Sequence, residues 1–111
     1  MKILALDTAT QSCSVAVVDD GSLLAELTRV NIKTHSRHLM NLINMVCSIA
    51  DLKAGDLDGF AVTIGPGSFT GLRIGISTIK GLAFSLGKPV VGVSSLDALA
   101  WQCAQSAYLI C

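Results

Sequence analysis

The sequence has little charge, and its charged residues do not cluster. Charged residues make up 14% of the chain, eight basic and eight acidic side chains cancel, and no run of Lys or Arg exceeds one residue. A surface that binds nucleic acid directly needs such a basic cluster. We therefore expect any contact with RNA to be made through a partner protein.

Long apolar runs and paired cysteines are also missing. No stretch of 18 uninterrupted apolar residues occurs, and residues 1–7 have the pattern of a strand instead of a signal peptide. The four cysteines, Cys13, Cys47, Cys103 and Cys111, contain no Cys-x-x-Cys pair, which argues against structural zinc and a disulfide framework. We expect a cytosolic chain, away from membranes, with reduced and mostly buried cysteines.

Half of the residues are hydrophobic, and their spacing predicts one α/β domain. Strands are predicted over residues 2–6, 14–18, 23–30, 59–64 and 89–93, and helices over 36–51 and 70–86. Asp20-Gly21 predicts a hairpin turn, and Gly87 with Pro89 predicts the end of the second long helix. A third helix, capped by Ser94 or Ser95, is predicted to reach about residue 105, and residues 107–111 to open another strand. Since the last residues are apolar, we expect the first part of a longer protein.

A glycine-rich segment between a predicted strand and a predicted helix reads Gly-Pro-Gly-Ser-Phe-Thr-Gly-Leu-Arg-Ile-Gly. It is not a P-loop, because Gly71 is followed by Leu-Arg instead of Lys-Ser or Lys-Thr, and it lacks the Gly-x-Ser-x-Gly of a nucleophile elbow. Two interpretations stay open. Ser68 or Thr70 caps the helix while the glycines allow close packing, or the segment is an exposed recognition loop. The candidate residues are Gly65, Pro66, Gly67, Ser68, Phe69, Thr70, Gly71, Arg73 and Gly75.

The helix predicted over residues 36–51 has an apolar stripe that covers more than half of its circumference. That is more than one face of a sheet buries, so the helix lies either in a crowded interior or against a partner. Candidate partner contacts are Met40, Ile43 and Cys47 on this helix, and Arg73, Ile74, Lys80 and Phe84 on the next. Ordinary packing at the edge of the core is the alternative.

Polar groups give two weaker candidates for a site. His35 and His38 stand three residues apart at a helix start, but no third ligand has a suitable spacing, so we expect no metal. Asp7 follows the first strand and precedes a loop with Thr8 and Thr10, which is the placement of a carboxylate that handles phosphate or magnesium. A turn-forming role for Asp7 is the alternative.

The motifs together resemble the bacterial TsaB (YeaZ) family. The resemblance rests on Ile-Leu-Ala-Leu-Asp-Thr-Ala-Thr at 3–10, Cys-Ser-Val-Ala at 13–16, His35-Ser36, the glycine segment at 65–75, Lys-Gly-Leu-Ala at 80–83 and Gly-Val-Ser-Ser-Leu at 92–96. It implies a ribonuclease H-like lobe of the actin, sugar kinase and Hsp70 ATPase superfamily, with a mixed five-stranded sheet and helices on both faces. Family members are about twice this long, so residues 1–111 are expected to be a single N-terminal lobe.

The resemblance also implies a function. TsaB is the non-catalytic paralogue of the Gcp-type enzyme TsaD, and it supports synthesis of N6-threonylcarbamoyladenosine at adenosine 37 of tRNA. It forms homodimers and TsaD heterodimers through the first two helices, and it joins the ATPase TsaE with TsaD. We therefore expect a scaffold subunit without catalytic residues or cofactor, which reaches tRNA only through the complex.

Two departures from catalytic relatives bear on this expectation. The catalytic paralogue has a metal-binding His-x-x-x-His, whereas His35 and His38 are one residue closer. Nucleotide-binding relatives have Asp-x-Gly-Thr after the first strand, whereas this chain has Ala9 in place of the glycine. The alternatives are a glycoprotease-like metallopeptidase that uses His35 or His38, and a kinase-like lobe that binds nucleotide at Asp7, Thr8 and Thr10.

Overall fold

A computed structural model describes residues 1–9, 12–30 and 36–94. Its elements are β1 (Lys2–Asp7), β2 (Cys13–Asp19), β3 (Ser22–Arg29), α1 (Ser36–Ile49), β4 (Gly59–Gly65), α2 (Phe69–Leu86) and β5 (Val90–Ser94), with a short 3-10 turn at Ala54–Asp56. All seven helices and strands predicted within these residues are present, and their ends differ from the predictions by two residues at most. The predicted third helix and last strand lie outside the described residues.

The five strands form one mixed sheet in the order β3-β2-β1-β4-β5. The first three strands are antiparallel, and β1 pairs with β4, and β4 with β5, in parallel. Asp20 and Gly21 have φ angles of 50° and 85°, the left-handed conformations that a tight hairpin turn needs, so the predicted turn is confirmed. The mixed five-stranded sheet expected of a ribonuclease H-like lobe is present.

The core lies on one face of the sheet. Leu4 and Leu6 of β1 are in register with Val17 and Val15 of β2, and the side chains of all four are buried. Both helices cover this face: α1 packs on β2 and β3, and α2 packs on β4 and β1. Buried helix side chains that complete the core are Leu39, Leu42, Ile43, Val46, Cys47, Ile79 and Ala83.

Small side chains occupy the middle of the opposite face of the sheet. Ala16, Ala5 and Ala61 stand side by side across β2, β1 and β4. A shallow cavity of about 280 Å³ lies over them, with Asp7 and Glu26 at its border. Both described helices pack on the other face, so the predicted covering of both faces depends on the third helix, which lies outside the described residues.

Both ends of α2 follow the sequence signals. Ser68 is the residue before the first turn, and its Oγ accepts a hydrogen bond from the backbone N–H of Gly71 at 3.3 Å. Of the two predicted capping residues, Ser68 is therefore the one used. Gly87 ends the helix with a φ of 66°, and its N–H donates to the carbonyl oxygen of Phe84 at 3.2 Å.

Two cysteines belong to the core. Cys13 and Cys47 are buried free thiols, as the sequence predicts, and the other two cysteines lie outside the described residues. Burial, with a smaller contribution from the negative charge of Asp7, raises the pKa of the Cys13 thiol from its ordinary value of 9.0 to about 11. Burial also raises the pKa of Cys47. The fold thus favours the neutral thiol at both positions.

This raised pKa predicts a loss of stability in alkali. Between about pH 9 and pH 11 the unfolded chain releases the Cys13 proton while the folded chain keeps it, so the free energy of unfolding falls as the pH rises. Urea unfolding of the wild type and of Cys13→Ala at several pH values measures this. We expect the difference in the free energy of unfolding between the two proteins to change over this pH range. A constant difference would contradict the assigned pKa.

Candidate functional site

Thr8, just after β1, fastens the loop between β1 and β2 to the start of α2. Its side chain is fully buried, and its Oγ1 donates a hydrogen bond to the carbonyl oxygen of Gly71 at 2.7 Å. The backbone N–H of Ser68 donates to the carbonyl oxygen of Ala9, also at 2.7 Å. Two hydrogen bonds from adjacent residues thus hold the first loop against the glycine segment.

Three glycines of the segment make this close approach sterically feasible. A Cβ at Gly71 would overlap the carbonyl oxygen of Thr8, a Cβ at Gly75 would overlap the Thr8 hydroxyl, and a Cβ at Gly67 would overlap the backbone of Ala9. Gly81, on the same helix, would meet nothing within 4 Å. The glycines at 67, 71 and 75 therefore serve packing of the loop against α2.

The polar groups that a phosphate cradle would use are engaged within the fold. Ser68 N–H and Gly71 N–H already donate to Ala9 O and Ser68 Oγ. Asp7 is exposed at the end of β1, and its Oδ1 accepts a hydrogen bond from Ala9 N–H at 3.0 Å, which is the turn-forming arrangement. Thr8 has no exposed surface, and Thr10 lies outside the described residues. Nucleotide binding at Asp7 stays a prediction.

The outer side of the glycine segment is exposed. Gly65 has a φ of 121°, and the Gly65–Pro66 peptide bond is cis. Phe69 is 74% exposed, and the Arg73 guanidinium carbon lies 5.6 Å from the centre of its ring. The inner side of the segment packs against the first loop, which supports the packing interpretation. Its outer side presents an aromatic and a cation, which supports the interpretation as an exposed recognition loop.

The predicted partner contacts occupy three different environments. Ile43 and Cys47 are buried in the chain's own core, with 1% and 5% of their surface exposed, so they offer almost no surface to a partner. Met40 and Ile74 are half-buried against that core. Arg73, Lys80 and Phe84 are exposed, and Phe84 is 90% accessible.

Three exposed apolar side chains on the two helices were not among the predicted partner contacts. Met45 and Ile49, one helical turn apart on α1, are 53% and 60% exposed, and Phe69 begins α2. At 100° per residue, Met45 and Ile49 lie where the apolar stripe of α1 borders its polar arc, and this position could have identified them. Along α2, a concavity of about 370 Å³ is lined by Thr70, Arg73, Ile74, Ser77 and Thr78.

The histidines form no recognisable metal site in the part of the chain that the structure describes. Within residues 1–9, 12–30 and 36–94, no three His, Cys, Asp or Glu side chains are grouped closely enough to hold an ion. His38 is half-buried, and His35 lies outside these ranges.

None of the described helices is long and apolar enough to cross a bilayer.

Comparison with known proteins assigns the family. A sequence model described as TsaD, tRNA N6-adenosine threonylcarbamoyltransferase, matches residues 23–109. The chain belongs to this family. It is 38% identical over 100 residues to the tRNA threonylcarbamoyladenosine biosynthesis protein TsaB of Escherichia coli K12, a match that covers 90% of this chain and 43% of that protein. The chain thus spans less than half the length of this relative.

Solved structures agree with the sequence comparison. YeaZ from Pseudomonas aeruginosa superposes with a TM-score of 0.86 at 37% identity, over 95% of this chain and 49% of that one. A Bacteroides thetaiotaomicron protein with an actin-like ATPase fold superposes with a TM-score of 0.60 at 12% identity over 90% of this chain and 36% of that one, which concerns the fold alone. The resemblance to the TsaB (YeaZ) family and the expected fold class are confirmed.

The contact between Thr8 and α2 predicts different effects for glycine substitutions on one helix. Gly75→Ala should be destabilising by about 1–3 kcal/mol because its methyl group overlaps the Thr8 side chain, whereas Gly81→Ala should stabilise by up to about 1 kcal/mol through helix propensity. Chemical denaturation of the two variants measures both effects. Equal effects would contradict the assigned contact.

A double-mutant cycle tests the same contact directly. Thr8→Ala removes Oγ1 and Cγ2, the two closest atoms that a methyl group at position 75 would meet, and leaves only Cβ at 3.3 Å. The loss in Thr8→Ala/Gly75→Ala should therefore be smaller than the sum of the single losses. Gly71→Ala meets the backbone oxygen of Thr8, which Thr8→Ala leaves in place. We expect no such rescue for that pair.

Proposed function

We propose that this chain acts in the synthesis of N6-threonylcarbamoyladenosine in tRNA as a non-catalytic scaffold subunit. In this proposal it binds a TsaD-type enzyme, and with it TsaE, through the outer surface of α1 and α2, and it uses the same surface to form homodimers. The observation that carries the proposal is the exposure of large apolar side chains on that surface. The names of the TsaB relatives supply the pathway.

The exposed apolar side chains are the physical reason to expect a partner at this surface. Met45 and Ile49 on α1, and Phe69 and Phe84 on α2, are each more than half exposed. Burying one such side chain is favourable by about 1.5–3 kcal/mol, and aromatic side chains often dominate the energy of an interface. Two adjacent helices with such side chains suit contact with a partner's helices.

The bonding of the glycine segment supports a structural role over a catalytic one. The Thr8 hydroxyl and the N–H groups of Ser68 and Gly71 all have partners inside the fold. Groups used in this way set the position of α2, which presents the proposed surface. Residues that would reach tRNA are expected on the partner, since no run of Lys or Arg in the sequence exceeds one residue.

Replacing one exposed aromatic tests the surface. Phe84→Asp should weaken association with a TsaD-type protein at least about tenfold, because a charge replaces an apolar anchor, while the fold persists since Phe84 is 90% exposed. Leu23→Asp is the matched control, because Leu23 is 57% exposed on β3, the edge strand farthest from the strands on which α2 packs. Calorimetry and analytical ultracentrifugation measure binding, and circular dichroism checks the fold.

A reconstituted reaction tests the pathway. The chain, TsaD and TsaE should co-purify, and omission of the chain should lower the yield of modified adenosine in tRNA. Equal affinity of wild type and Phe84→Asp for TsaD would show that the helical surface is wrong. Unchanged modification without the chain would contradict the scaffold role itself.

A further inference from the structure

One side of α2 places two cations between two exposed phenylalanines. At 3.6 residues per turn, Phe69, Arg73, Lys80 and Phe84 fall within about 60° of one another around the helix. All four side chains are exposed. This cationic α2 face, defined by those four residues, lies on the surface to which the proposed function assigns the partner.

Within the part of the chain that the structure describes, neither cation forms an ion pair. The only ion pairs within residues 1–9, 12–30 and 36–94 join the N-terminal amine to Asp19 and Asp20. The sequence explains this, because no Asp or Glu occurs between residues 27 and 50 or between residues 59 and 96, the stretches that contain both helices. The net charge of zero therefore conceals a helical layer without any carboxylate.

Arg73 is positioned to receive a carboxylate. Its guanidinium lies over the Phe69 ring at 5.6 Å, a contact that orients the group without using its N–H donors. Arginine side chains bind carboxylates through paired N–H groups. Arg73 also borders the concavity of about 370 Å³ along α2. The free donors and the adjacent apolar rings together fit a partner with acidic and apolar side chains.

A second copy of this chain fits the same face less well. In a two-fold dimer through this surface, α1 and α2 of one copy meet α1 and α2 of the other. Phenylalanine can then meet an apolar side chain, but the cations find no carboxylate, because neither helix contains one. We infer that the cationic α2 face selects a different protein, whose docking surface carries carboxylates beside apolar side chains, over a second copy of this chain. This inference rests on the proposed function, since it uses the same surface.

The test removes both charges while keeping polar side chains that are unbranched at Cβ. Arg73→Gln/Lys80→Gln should bind the TsaD-type protein about tenfold more weakly at low salt, mainly through slower association, and the difference should shrink at high salt. Self-association of the same variant should be unchanged or stronger, because like charges have been removed. Surface plasmon resonance at two salt concentrations and sedimentation equilibrium measure the two effects.

Matched controls separate a local effect from a change in net charge. Arg29→Gln/Lys53→Gln removes two exposed cations away from α2 and should leave both kinds of association unchanged. Phe84→Asp should weaken binding whether or not the charges of Arg73 and Lys80 contribute to it. If the complex forms and Phe84→Asp weakens it while Arg73→Gln/Lys80→Gln does not, the charge inference is wrong and the proposed function stands.

Three other outcomes would also overturn the inference. Equal weakening of self-association and partner binding would show that the cations do not discriminate between the two. Loss of tRNA binding with intact protein binding would assign the cations to phosphate groups. If the wild type binds no TsaD-type protein, the proposed function and the inference both fail.

Discussion

The contact of Thr8 with the start of α2 is the constraint on which the rest of the lobe depends. A fully buried hydroxyl donates to the backbone of Gly71, and glycine at 71 and 75 lets the helix come this close. Since Thr8 directly follows the central strand, the contact fixes α2 relative to the middle of the sheet. The direction of the cationic α2 face is therefore set by a residue that takes no part in that face.

The glycine segment has two sides with different roles. Its inner side is held against the first loop by hydrogen bonds, and its outer side exposes Phe69 beneath Arg73. The same glycines that suit a phosphate loop also suit close packing of backbone, so a glycine-rich motif does not by itself indicate a phosphate site. The physical role of each residue follows from its side of the segment.

Much of the fold could be predicted because its signals are local. Alternating apolar residues predicted the strands, and Asp20-Gly21 predicted the hairpin turn. Ser68 and Gly87 predicted the two ends of α2. The surface was harder to predict because helical periodicity gives the direction of a side chain and not the depth of its burial. Ile43 and Cys47 belong to the apolar stripe, but the sheet and the neighbouring helix bury them completely or nearly so. The burial of Thr8 under α2 depends on residues more than sixty positions away, so no local pattern could reveal it.

The position of β1 in the sheet has a consequence for how the chain assembles. On one side β1 pairs with β2 through a short connection, but on the other side Ile3 pairs with Gly59, after α1 has been made. Pairing between distant residues is slow, and a strand without a neighbour attracts strands of other chains. During synthesis one edge of β1 therefore has no neighbouring strand until β4 has been made. Over that period, aggregation of the nascent chain competes with the pairing of β1 and β4.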